Sequence, residues 1–387
     1  MGKPIRILSI SHACVVSAYR MRQAEVARHE GISLSLLTPE NWNQFNTPCH
    51  AASGDPSHKY RLILKQPFSF GLKNHGLRNA SHIYMGLEQI ICEAEPDILE
   101  LWEEPFFAVA WQAIRLFRRH VPGGPIIFFS AQNVKKWRPP PFSWFEKYAM
   151  AESQLCFAMN REVDVVLREK GWRGRTEILP LGINPSDYVQ AEEPSREAMR
   201  GKLGFRGVVI AFLGKLDNQK GILDLIEAVS GLSGGPEITL AIAGAGPLRE
   251  ELADRLKSFP VNSRLMPSIP HCDVPAWLGA TDIVVMPSRT MPRLKEQFGR
   301  VAVEGMAAGK AVVVSSSGEL PNVVGGDGKV FPEGDIPALR SVLKELVENQ
   351  KLREELGRSA RAAVIEKYSW EVIANRQVKI YRELLAT

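Results

Sequence analysis

Glu296 and Glu304 stand with seven residues between them, in Glu296-Gln297-Phe298-Gly299-Arg300-Val301-Ala302-Val303-Glu304. A short apolar stretch follows, then Gly309 and the run Ala311 to Val314. That order predicts a helix, a glycine stop and a buried parallel strand. Glu296 would lie in the loop before the helix and Glu304 on it. Phe298, Gly299 and Arg300 would present backbone N–H groups that the helix cannot satisfy, an arrangement that attracts phosphate or carboxylate. Gly299 lets a ligand come close to the backbone. Two acids beside an anion site make sense if they face hydroxyls, since carboxylates accept hydrogen bonds from sugar and ribose O–H groups. Spacing alone leaves two readings open: a sugar-nucleotide clamp, or two solvated helix-end acids.

The elements that must position these acids alternate along both halves. Strands are expected at 5–10, 32–37, 96–101 and 125–130, with helices at 18–28, 81–94 and 106–119 between them. The opening strand–helix–strand is the start of a doubly wound sheet. The loop after the first strand, Ser11 to Ser17, has no glycine. It is therefore no dinucleotide fingerprint. His12 there either touches a ligand or is a polar loop residue. Glu103 and Glu104 follow the third strand, at the end that faces the ligand crevice in such sheets. Gln132 and Asn133 follow the fourth. Residues 40–80 are irregular, with Tyr60, Arg61, Lys65, Phe68, Phe70, Lys73 and Arg78. They read as acceptor-binding or membrane-touching surface, or as two exposed edge strands joined by a loop.

The second half repeats the pattern. A strand at 208–213 leads into Gly214-Lys215-Leu216-Asp217-Asn218-Gln219-Lys220-Gly221 and a helix at 222–230. A strand at 237–243 ends in Gly244-Ala245-Gly246-Pro247. Ile269 follows a short strand at 264–267, and a strand at 282–288 leads to Glu296. Polar, proline-bearing sequence around Glu192-Glu193-Pro194 suits a domain boundary at 183–195. The architecture is two doubly wound α/β domains in series.

At 387 residues, with 45% hydrophobic and 24% charged side chains, the chain is long enough for two cores. A net charge of +5 is too small to argue nucleic-acid binding, though it suits an anionic substrate or membrane surface. The five cysteines (14, 49, 92, 156 and 272) show no ligand spacing and read as reduced, mostly buried thiols. No apolar run approaches a membrane span, and no signal peptide is read at the amino terminus. The expected compartment is the cytoplasm.

With its pieces in order, residues 200–387 resemble the retaining glycosyltransferases of family four (group 1), which have the GT-B-type fold. The motifs are Gly214-Lys215-Leu216 with Lys220-Gly221, Gly244-Ala245-Gly246-Pro247, Thr281-Asp282-Ile283-Val284-Val285-Met286-Pro287-Ser288, and Glu296 through Gly309. The resemblance implies two Rossmann-like domains facing a cleft. Residues 1–183 would form the acceptor side, completed by a terminal helix at 370–387 that crosses back. Residues 184–369 would hold the nucleoside-diphosphate sugar. It further implies that Lys215 and Lys220 hold the donor diphosphate, Glu296 contacts the donor sugar, and Glu304 binds the ribose hydroxyls. Phe298 and Gly299 would supply amides near the diphosphate, and Ile269 main chain near the base. Gly244 and Gly246 either make room for the nucleotide or form a tight turn. Two cations beside a helix start supply what a leaving diphosphate requires, so the resemblance implies neither metal nor cofactor.

The first half departs from the family. It lacks the glycine-rich first loop, and Gln132 stands where many members have histidine. Glutamine can bind a sugar hydroxyl but cannot accept a proton. His12, Glu103, Glu104, Gln132 and Asn133 are the acceptor-side candidates. The partners expected are a sugar nucleotide and a glycan, lipid-linked or small-molecule acceptor, with peripheral contact to an anionic membrane at its inner face. Two other readings compete: a binding protein of the same fold without turnover, and a nicotinamide-dependent oxidoreductase. The second lacks any G-x-G-x-x-G after a strand.

Overall fold

The computed structural model describes residues 3–44, 47–52, 59–70, 75–188 and 195–386. Lys73 and the stretch 192–194 lie outside them. The chain divides into two compact units, Met1–Pro180 with Trp370–Thr387, and Leu181–Ser369. The division falls at 180/181, where the sequence put the boundary at 183.

The first unit is built on β1 (Ile5–Ile10), β2 (Ile32–Thr38), β5 (Arg61–Leu64), β6 (Ile98–Leu101), β7 (Ile126–Ser130), β8 (Leu155–Ala158) and β9 (Arg175–Ile178). They form one parallel sheet in the order β5-β2-β1-β6-β7-β8-β9. β6, β7 and β8 are buried at every position, as strands covered on both faces must be. A separate hairpin pairs β3 (Asn41–Gln44) with β4 (Thr47–His50). The region 40–80 thus holds a hairpin and one edge strand of the main sheet, rather than two edge strands alone.

Two expected helices begin late. Residues Ser17–Arg20 form a 3₁₀ turn before the helix Met21–Ala27. Buried Arg20 holds that turn by donating to the carbonyls of Cys14 (2.6 Å) and Val15 (3.3 Å). The helix expected from 81 starts only at Leu87. Phe68 and Ile83 exchange backbone hydrogen bonds at 2.9 Å, which holds residues 81–86 out of a helix. Propensity could not show this, because the partner is distant in sequence.

Helix Trp370–Ala386 belongs to the first unit through a buried polar cluster. Glu100 on β6 accepts from Ser9 Oγ (2.7 Å), Arg22 Nη1 (3.0 Å), Gln377 Nε2 (2.5 Å) and Tyr381 OH (2.7 Å). Arg22 also lies 3.4 Å from the Trp102 ring centroid. A carboxylate with four donors and a stacked cation is the form in which such a charge can be buried. Of the cysteines, Cys14 and Cys156 are buried, Cys49 is intermediate, and Cys92 and Cys272 are exposed; all five thiols are free. The expectation of mostly buried thiols is corrected: Cys92 is on a helix and Cys272 in a surface turn.

The second unit carries β10 (Val208–Leu213), β11 (Ile238–Ala243), β12 (Asn262–Met266), β13 (Ile283–Met286), β14 (Ala311–Ser315) and β15 (Lys329–Phe331). Its parallel order is β12-β11-β10-β13-β14-β15. The core lies between this sheet and helices that include Ile222–Ser230 and Ile336–Glu348, around Phe212, Leu225, Leu343 and Val313. The chain winds outward from β10 through β11 to β12, then returns to place β13 on the other side. The switch point is therefore between β10 and β13, where ligands bind in open α/β sheets. Among the described residues no helix is long and apolar enough to cross a membrane.

Candidate functional site

The loops after β10 and β13 bring together most of the residues picked out on the second half. Asp217 caps the short 3₁₀ turn Asn218–Lys220, its Oδ1 accepting from the Lys220 amide at 3.1 Å. That cap aims Lys220 inward. Lys220 Nζ then donates to Glu296 Oε2 at 2.6 Å, and Ser288 Oγ donates to the same oxygen at 3.2 Å. Lys220, Ser288, Glu296, Arg300 and Gly214 line a cavity of about 150 Å³. Lys215 is different. It is two-thirds exposed and pairs with Asp217 at 3.0 Å, so its charge is partly neutralised and hydrated.

Gly299 starts the helix Arg300–Ala307. Its φ is +83°, and a Cβ there would sit 2.3 Å from Leu320 Cδ2, so only glycine fits. Phe298 is buried with its ring edge-on to Tyr368, at 5.7 Å between centroids. Its side chain is thus core, while its main chain runs into the helix start. The Ala302 and Val303 amides bond back to the Gly299 carbonyl at 2.9 and 3.3 Å, while the amides ahead of them lie before the first helical acceptor.

Glu304 is 4% exposed. It accepts from Arg300 Nε at 3.1 Å, and Tyr188 is hydrogen-bonded to it. His271 Nε2 faces Arg300 Nη2 at 2.8 Å on the outer side. Burial raises the Glu304 pKa, and the Arg300 charge and the two hydrogen bonds restrain the rise. Burial also raises that of Tyr188. Glu296 and Glu304 are therefore not solvated helix-end acids. Each is held by a cation and a hydroxyl, with Glu296 in the cavity wall and Glu304 further along the helix.

Gly244 lies against a neighbouring loop's backbone. A Cβ on it would lie 1.8 Å from the Gly214 carbonyl oxygen, so the two loops pack backbone on backbone. Gly246 lies against Leu216, whose carbonyl receives the Leu248 amide at 3.0 Å. Ile269 is half-buried in the loop beyond β12, so it is not a plain core residue.

In the first unit the candidates fall into two groups. His12 Nδ1 is 2.5 Å from Glu103 Oε2. Glu104 accepts from Ser130 Oγ (2.8 Å) and the Ala131 amide (2.9 Å), fixing the loop after β7, and burial raises its pKa. Gln132 accepts from Arg138, whose guanidinium lies 3.2 Å from the Phe106 centroid. Asn133 donates to Glu162 at 3.1 Å. Sequence reasoning missed Arg138, Tyr188, His82, Ser288 and the side chain of Arg300 as site residues. Arg300 had a signal, since it is four residues before Glu304 on one helix face. Ser288 closes the quoted strand motif. Tyr188 and His82 had none, because each reaches its partner only through tertiary contact.

Two cations, a glycine-opened helix start and two supported carboxylates at a switch point have the chemistry to hold a phosphorylated, hydroxyl-rich ligand. Residues 195–363 match the family "Glycosyl transferases group 1". That match takes in most of the second unit, which is a group 1 glycosyltransferase domain. Both units together have the GT-B fold of known glycosyltransferases: sucrose-phosphate synthase of Thermosynechococcus elongatus superposes with a TM-score of 0.73 at 18% identity, covering all of both chains. The chain is 29% identical over 383 residues to the phosphatidyl-myo-inositol mannosyltransferase of Mycobacterium leprae, 96% of this chain and 93% of that one. It is 30% identical over 210 residues to the GDP-mannose-dependent monoacylated alpha-(1-6)-phosphatidylinositol monomannoside mannosyltransferase of Corynebacterium glutamicum. There it covers 53% of this chain and spans about half (55%) of the relative's length.

Proposed function

We propose that this protein is a retaining glycosyltransferase that moves a sugar from a nucleoside-diphosphate sugar to an acceptor hydroxyl. The observation that carries it is the Lys220–Glu296 pair lining a cavity beside the Gly299 helix start. In this reading the donor diphosphate lies against the helix start and Lys220, with Lys215 adding a weaker, solvated charge. Glu304 accepts from the ribose hydroxyls and Glu296 from the sugar. The bond from the anomeric carbon to the diphosphate oxygen breaks, and one to the acceptor oxygen forms on the same face. The leaving phosphate oxygen takes the acceptor proton, so Gln132 need not act as a base. Lys220 and the helix amides stabilise the charge that develops on the leaving group, the electrostatic work a metal does elsewhere.

A thermal-shift series with nucleoside diphosphates and their sugars tests the reading. A ligand at 100 times its Kd stabilises by about 2.7 kcal/mol, which moves a midpoint by several degrees. The expected result is a shift with one nucleoside diphosphate, a larger one with its sugar, and sugar transfer or slow hydrolysis by the bound complex. Binding with neither transfer nor hydrolysis across a broad acceptor panel would instead favour a non-catalytic binder. No shift with any member of the series would defeat the proposal.

The acceptor side is proposed at the first unit's strand ends. A lipid-linked acceptor is supported by the two mannosyltransferase relatives, whose names describe phosphatidylinositol-type acceptors. Phe68 and Phe70 are 54% and 52% exposed, and Trp137 and Trp144, which neighbour Lys135, Lys136 and Lys147 in sequence, are 85% and 64% exposed. Aromatic rings with flanking lysines suit an anionic headgroup region. The protein is expected to float with vesicles containing anionic lipid, and Trp137→Ala with Trp144→Ala to weaken this severalfold. Equal recovery with neutral and anionic vesicles would remove the membrane from the proposal and leave a soluble acceptor.

A further inference from the structure

The first sheet has its own switch point, between β1 and β6, and the donor site does not use it. His12 follows β1, Glu103 follows β6, and the turn before helix Leu87–Ala94 delivers His82 to the same place. One ligand atom from each of the three lies within 4.8 Å of the others. His12 Nδ1 is 2.5 Å from Glu103 Oε2, and His82 Nε2 is 3.9 Å from Glu103 Oε1. The His12 amide donates to Glu103 Oε1 at 2.5 Å, which fixes the carboxylate plane.

His82 gives the second, independent observation. Its Nδ1 is 2.6 Å from the Asn79 carbonyl oxygen, so Nδ1 carries the proton and Nε2 the lone pair. The residue is 0% exposed, and Nε2 has no hydrogen-bond partner. A buried acceptor left unmatched is costly and calls for an explanation. This lone pair faces a carboxylate, which has no proton to give it. A cation between them satisfies both. Histidine with its other ring nitrogen tied to a backbone carbonyl is also the arrangement that orients a metal ligand. The rings of Trp42, Phe107 and Tyr84 surround His82 at centroid distances of 4.9, 5.9 and 6.0 Å, a low-dielectric wall that strengthens ion binding.

We propose that His12 Nδ1, His82 Nε2 and Glu103 form a three-ligand site for a divalent transition metal, with Zn²⁺ the best match. Two imidazoles and one carboxylate suit zinc, whereas Mg²⁺ and Ca²⁺ take oxygen sets. With zinc bonds of about 2.0–2.2 Å, adjacent tetrahedral ligands stand about 3.3 Å apart, so His12 Nδ1 gives up the proton it shares with Glu103 and the pair opens from 2.5 Å, while His82 Nε2 closes in from 3.9 Å. Three protein ligands leave a fourth position for water or a hydroxyl. The site is separate from the donor loops, so donor binding can stand or fall without it.

The test uses the untagged full chain, stripped with chelator and then given Zn²⁺ or Co²⁺. The expected result is one equivalent of zinc retained through gel filtration, and visible Co²⁺ bands of tetrahedral intensity. His82→Gln and Glu103→Gln should each lower metal affinity by about 100-fold or more, as loss of one ligand in three requires. Nucleoside-diphosphate binding is read in parallel and should be unchanged. No uptake by the wild type, or wild-type affinity in both variants, would overturn the site. If a variant does not fold, the wild-type Co²⁺ spectrum decides: weak octahedral bands would overturn it. In the first of these failures, a sugar hydroxyl donating to His82 Nε2 becomes the replacement reading.

Discussion

Glu296→Gln is expected to bind free nucleoside diphosphate several times more tightly than the wild type while transferring sugar about 100 times more slowly. The reason is the 2.6 Å contact between Lys220 Nζ and Glu296 Oε2. Without ligand, the cation proposed to hold the diphosphate already faces a carboxylate. Lysine has three donors on a flexible stem and can add a phosphate oxygen while keeping Glu296. The negative charge of Glu296 nevertheless opposes the incoming anion. Removing it by an isosteric amide relieves repulsion of about 1 kcal/mol at the effective dielectric of a half-open site, a factor of about five in affinity. The donor sugar meanwhile loses its charged acceptor, a hydrogen bond worth about 1.5–3 kcal/mol. Lys220→Ala should do the opposite for the diphosphate. Affinity for nucleoside diphosphate should fall by about 10- to 100-fold, and transfer by a further factor of about 10²–10³, as when one preorganised donor to a developing charge is removed. Calorimetry with the free diphosphate, beside single-turnover transfer, separates the two effects. Equal losses of diphosphate affinity in the two variants would mean that the pair only braces the loops.

That pairing could not be read from the sequence, although both residues could. Lys220 and Glu296 were visible because each sits in a motif at a strand end, and strand ends were visible from apolar runs such as Val312-Val313-Val314. The parallel order followed from the alternation of strands and helices. What the sequence could not carry was contact across distance. Tyr188 reaches Glu304 from a 3₁₀ turn more than a hundred residues earlier, and no periodicity connects them. The late start of the helix at Leu87 depends on a backbone bridge to Phe68. The same bridge holds the segment that brings His82 beside His12 and Glu103. A lone histidine in a stretch expected to be helical offered no sign of this. Gly244 shows the same limit: its motif was visible, but the Gly214 carbonyl it packs against was not.

Glu304→Ala is the second large expectation, and its readout is discrimination at the ribose. A carboxylate buried to 4% exposure and held by Arg300 and Tyr188 has its position set before a ligand arrives. Such preorganisation is what makes a hydrogen bond to it selective. Loss of charged hydrogen bonds to the ribose hydroxyls costs about 1.5–3 kcal/mol each, so nucleoside-diphosphate affinity should fall by about 100-fold. The same variant should lose most of the wild type's preference for the ribose form over its 2′,3′-dideoxy analogue, closing a double-mutant cycle between residue and ligand. If Glu304→Ala weakens both forms equally, the acid supports the helix and does not touch the ribose. The pH dependence supplies a further handle. Burial raises the Glu304 pKa, so the acid takes up its proton at a higher pH than an exposed glutamate. Ribose-dependent affinity should therefore drop on acidification before ordinary carboxylates titrate, and Glu304→Gln should flatten that drop. For folding, the sign is reversed. A raised carboxyl pKa means the folded chain holds this proton more tightly, so its contribution is fully present at low pH and is lost as pH rises through the raised value. Acidification should thus weaken donor binding while this group favours the fold, which separates a loss of ligand from a loss of structure.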